Sequence, residues 1–224
     1  MGKGQPPDRL AAIDDESSLS PEESLGLVEA DGTKAARSLH VHPAPILAAW
    51  GLAWMIGFGA VYLTSRDGLG LVLPAWVAAV VLVVLFAVAV AVSFGEQARR
   101  GRGVEGPSQR VAAMYAWSWL LAFAALFAVD LGLAHQGVPA HLQPLLWTGS
   151  SLLAVGLLYL AGAMLWGDRL QYALGAWVLV VGAASVSAGV PQNFAVLSLA
   201  GGGGFLVAAA LAQARDRSAG RAQG

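Results

Sequence analysis

Few residues in this 224-residue chain are capable of chemistry. The most unusual string is Gly201-Gly202-Gly203-Gly204. It lacks the Lys-Ser/Thr of a phosphate loop and binds no nucleotide. A local break there would free backbone carbonyls to hold a substrate or ion, as discontinuous helices do in transporters. An unbroken helix would instead let a neighbour pack very closely, and this is the favoured reading. Tyr115, Ser118, Tyr159, Tyr172 and Asn193 can line a cavity or hydrogen-bond between helices. His40 and His42 form a His-x-His pair without a nearby third ligand, so no metal site is expected. Asp130, His135 and His141 could form an outer, cation-attracting patch, but unconnected surface residues are the expected reading. There is no Gly-x-Ser-x-Gly, no His-Glu-x-x-His and no intramembrane Asp pair. No catalytic residue and no cofactor are assigned, and the chain is not expected to be an enzyme. With no cysteine, disulfide and thiolate chemistry are excluded.

The elements that would hold these groups are membrane helices. Leu170 to Ala214 runs 45 residues between Arg169 and Arg215 without an Asp, Glu, Lys or Arg. A bilayer core of about 30 Å takes about 20 apolar residues per helical crossing. The run therefore holds two crossings, with Gly189-Val190-Pro191 as the turn. The whole chain is 57% hydrophobic and 12% charged, against about 25% charged in soluble domains. Six crossings are read, at about 44–64, 71–94, 112–133, 144–166, 170–188 and 192–213. The expected fold is an all-α, polytopic bundle of six transmembrane helices arranged as three antiparallel hairpins.

Orientation follows from the basic residues. With the N-terminus inside, twelve of the 13 Lys and Arg lie on inner segments and only Arg66 lies outside. A multi-pass protein of the cell membrane with cytoplasmic N- and C-termini is expected. Trp76, Trp147 and Trp166 fall where aromatic side chains anchor helices in the headgroup belts. Trp50, Trp117 and Trp177 stand at similar depths, and the returning helices open with Pro74, Pro144 and Pro191. This suggests a weak threefold repeat of hairpins. No acid or base is read deep within a crossing, which argues against a proton-coupled pump.

Outside the 44–213 bundle the chain is polar. Residues 1–19 have the composition of a disordered tail. Ser20-Pro21-Glu22-Glu23 starts a short amphipathic cytoplasmic helix over 20–43, with Ser20 as cap and Glu23 closing a capping box. Residues 214–224 form a C-terminal tail. The link Glu96 to Arg110 carries Arg99, Arg100, Arg102 and Arg110 and is expected to be flexible. Its arginines set topology, and near anionic headgroups each is worth about 1 kcal/mol. The expected partners are the lipid bilayer and a cytoplasmic protein or a second copy, with no direct contact to nucleic acid.

Three runs carry a family resemblance: Met114–Phe123, Leu158–Arg169 and Ala200–Gly204. With Ser20–Ser24 and Trp50–Trp54, the chain resembles a six-helix integral membrane family of GC-rich Gram-positive bacteria. Its members are usually labelled only "transporter" or "membrane protein" and are thought to be encoded beside a small winged-helix regulator. The resemblance implies the six-helix fold. A small transporter or permease component is the leading functional expectation. The alternative is a membrane anchor or sensor that docks a cytoplasmic regulator through its N-terminal helix and the basic 96–110 loop.

Overall fold

A computed structural model describes residues 43–65, 74–100 and 107–221. The 20–43 helix, the His40–His42 pair and Arg102 lie outside the described residues, apart from Pro43. What is described is helical, with no strand among those residues. The helices are α1 (Pro43–Thr64), α2 (Ala75–Arg100), α3 (Pro107–His135), α4 (Gln143–Trp166) and α5 (Arg169–Ala188). A sixth span is composite. It begins as α6 (Gln192–Val196), passes through a six-residue π-helical turn (Leu197–Gly202) and continues as α7 (Gly203–Arg221).

All six spans are long and apolar enough to cross a bilayer. Their surfaces point to the same solvent. Phe94, Met114, Trp117, Leu121, Met164 and Leu199 are each more than 60% exposed. Water does not tolerate that much continuous apolar surface; lipid does. The chain is an integral membrane protein.

Local sequence sets the helix ends. Asp168 caps α5 by accepting from the N–H groups of Leu170 and Gln171, satisfying two of the four free donors. Gly167 ends α4 in the left-handed conformation, with φ 67° and its N–H donated to the Ala163 carbonyl. The basic link is shorter than read from hydropathy. Arg99 and Arg100 belong to the last turn of α2, and Arg110 to the first turn of α3, leaving 101–106 between them. Pro107 suits a helix start, and arginine suits the negative end of a helix dipole. α7 likewise runs on to Arg221, past the apolar boundary at 213.

Contacting helices run antiparallel, and contacts follow the order α2, α1, sixth span, α5, α4, α3. The most extensive pairings join α1 to the sixth span and α4 to α5, in each case helices of two different hairpins in the sequence reading. Glycine allows the α4–α5 contact: a Cβ on Gly156 would lie 3.1 Å from the Gly175 carbonyl, and one on Gly175 would lie 3.0 Å from the Gly156 carbonyl. Such backbone contact is how lipid-embedded helices gain packing energy without a hydrophobic drive. The core lies where α1, α5 and the sixth span meet, around Trp54, Phe58, Val178, Val181, Leu197 and Phe205. Trp54 meets Phe58 edge-on at 5.6 Å and Phe205 at 5.3 Å. The third span is packed least: its most apolar window buries no residue.

Candidate functional site

The four glycines are not equivalent. Gly201 and Gly202 end the π-helical turn, and Gly203 and Gly204 open α7. The span continues through them without interruption. A Cβ on Gly201 would lie 2.5 Å from the Trp54 ring. One on Gly202 would lie 2.7 Å from the Met55 nitrogen and 2.9 Å from the Gly51 carbonyl, which is backbone against backbone. Gly204 is covered by the Trp177 indole, whereas a Cβ on Gly203 would meet nothing within 4 Å. Close packing therefore explains three of them. The Ala200 carbonyl, which accepts from the Gly203 N–H, also accepts from Trp177 Nε1 at 3.0 Å. Ser198 Oγ donates to the Met55 carbonyl at 2.7 Å, tying the same turn to α1.

The hydroxyl groups named from sequence do not gather around the glycines. Tyr115 donates to the Leu158 carbonyl at 2.7 Å and so links α3 to α4. Ser118 donates to Met114 in its own helix and is exposed. Tyr159 is wedged between Trp119 at 5.7 Å and Phe205 at 6.2 Å, while Tyr172 is 51% exposed. Trp147 packs on Phe127, and Trp166 on Tyr115; Trp76 is exposed. Arg110 is exposed at the start of α3. Trp50 donates to Ser93, Trp177 to Ala200, and Trp117 is exposed, so the three tryptophans of the internal repeat have different surroundings.

Asp130 departs from its sequence reading as a surface residue. It is only 1% exposed, among the most enclosed side chains described. Its Oδ2 accepts from Ser150 Oγ of α4 at 2.7 Å. The same hydroxyl lies 2.7 Å from the Leu146 carbonyl one turn back. His135 and His141 are exposed, unlike Asp130. α4, the helix packed against α3 here, holds no Asp, Glu, Lys, Arg or His and offers only Tyr159 as a further titratable group. A carboxyl facing α4 thus finds a serine as partner. The signal available in the sequence was Asp130 five residues inside the helix end, with Ser150 seven residues into the next helix. The register that joins them was not readable.

Asn193 and Ser185 are fully buried near the turn between the last two spans. Ser185 donates to its own helix at Gly182. Both amide atoms of Asn193, and the indole nitrogen of Trp54, are buried without a hydrogen-bond partner. An unsatisfied buried polar group costs about 1–3 kcal/mol. Asn193→Leu is therefore expected to raise the unfolding midpoint of the purified protein in mild detergent. A lowered midpoint would show that the amide has a partner in use.

No protein-family model, curated protein or solved structure matches the chain.

Proposed function

We propose that the protein is a small permease, or permease component, of the cell membrane, with both termini in the cytoplasm. In this reading Asp130 and Ser150 handle a proton during the transport cycle. The buried carboxyl carries the proposal. An ionisable side chain enclosed among membrane helices is costly to keep and marks ion pathways and proton relays. Asp130 stands near the outer end of its span, as the sequence indicates; what hydropathy did not reveal is its enclosure against α4.

The pair suits either form of the carboxyl without helix movement. Ser150 has one proton and two acceptors at 2.7 Å. Facing a carboxylate, it donates to Asp130 Oδ2. Facing the neutral acid, it accepts from the carboxyl and turns its own proton to the Leu146 carbonyl.

The test needs no substrate. Liposomes holding the full chain are fixed on a capacitive sensor and given a pH jump. Wild type is expected to displace charge, and Asp130→Asn at equal density is expected to displace none. Equal transients from the two proteins would overturn the proposal. Removal of residues 1–39 should leave the transient in place. Its loss there would move the function to the N-terminal segment, as in a membrane anchor.

A further inference from the structure

A groove of about 440 Å³ runs between α5 and the sixth span and opens sideways to the bilayer. Each wall is a ridge of residues four apart, which share a helix face. Leu199, Gly203, Val207 and Leu211 form one wall, and the next position in that series is Arg215. Ala173 and Trp177 lie on the other wall, and the position before them in the series is Arg169. Both ridges therefore end in an arginine at the same end of the bundle, and both arginines are exposed. Gly203 borders this open space, where a Cβ would meet nothing within 4 Å.

We propose that this groove binds one anionic phospholipid, with an acyl chain along the glycine wall and the phosphate between Arg169 and Arg215. Length supports a lipid. Leu199 to Leu211 spans about 18 Å of helix, and one leaflet of hydrocarbon is about 15 Å thick. Charge supports an anion. Guanidinium groups match phosphate oxygens in a two-pronged fork. Among the described residues, two acids adjoin these arginines in sequence. The Asp168 carboxylate is engaged by the first N–H groups of α5, and Asp216 points about 100° around the helix from Arg215. A helix from a second copy would meet two like charges at the groove's end, which disfavours that occupant. The site is independent of Asp130 and of the permease reading.

Native mass spectrometry of the full chain provides the test, with phosphatidylglycerol and phosphatidylcholine of identical acyl chains as probes. Wild type is expected to retain one phosphatidylglycerol in preference to phosphatidylcholine. In the double variant Arg169→Gln/Arg215→Gln, retention of phosphatidylglycerol should fall to that of phosphatidylcholine. Arg217→Gln/Arg221→Gln should keep the preference. Gly203→Leu should lose both lipids while its unfolding midpoint stays at the wild-type value. Equal retention of the two lipids by wild type would overturn the proposal, as would a preference that survives the Arg169/Arg215 change. A dimer in wild type that Gly203→Leu dissociates would assign the groove to a second copy instead.

Discussion

Gly202→Leu is expected to leave the chain inserted in the membrane but to part α1 from the sixth span. The reason is what the new side chain would strike. Its Cβ alone would sit 2.7 Å from the Met55 nitrogen and 2.9 Å from the Gly51 carbonyl. A flexible side chain can step aside; a helix backbone cannot without moving the whole helix. Overpacking a core commonly costs 1–3 kcal/mol, and here the expected loss is about 3 kcal/mol or more. Even Gly202→Ala should be harmful. Gly203→Ala, one residue on, should be neutral, because its Cβ enters open space. Thermal unfolding in mild detergent, followed by tryptophan fluorescence, reads the contrast. Equal midpoints for the alanine variants at 202 and 203 would remove close packing as the role of Gly202.

Ser150→Ala is expected to harm the protein more than removal of both members of the pair. Taking away the serine strands a buried carboxyl, at a cost of about 1–3 kcal/mol or more if it is charged. Replacing both partners by apolar groups removes the need as well as the supply. Asp130→Leu/Ser150→Ala should therefore unfold at a higher temperature than Ser150→Ala alone. A double-mutant cycle across Asp130→Leu and Ser150→Ala measures the coupling. Strict additivity would mean that the 2.7 Å contact contributes nothing. The double variant should still fail the pH-jump assay, which separates the functional role of the carboxyl from its effect on stability.

The spans were legible because hydrophobic length is a property of composition. Runs such as Leu170–Ala188 have no other way to satisfy their backbone in lipid than as helices. The ends at Gly167–Asp168 and Gly189 were legible for the same local reason, since capping involves neighbours in the chain. Close packing at the glycine string was also foreseeable. The division of labour among Gly201, Gly202, Gly203 and Gly204 was not, because it depends on which helix stands on each side.

Local order thus wrote the six helices, their turns and their preference for lipid into the chain as residue types and intervals. Long-range contacts settled the rest. They set the sequence of neighbours from α2 to α3, paired α1 with the sixth span and α4 with α5 most extensively, and placed a π turn before Gly203. They also turned Asp130 from the surface towards Ser150. The physical cause is that the apolar faces of these helices are nearly uniform all round, so hydropathy alone selects no face to bury. Steric fit at glycine and the few hydrogen bonds between helices make that choice, and both depend on residues as distant in sequence as Gly51 and Gly202, or Met55 and Ser198.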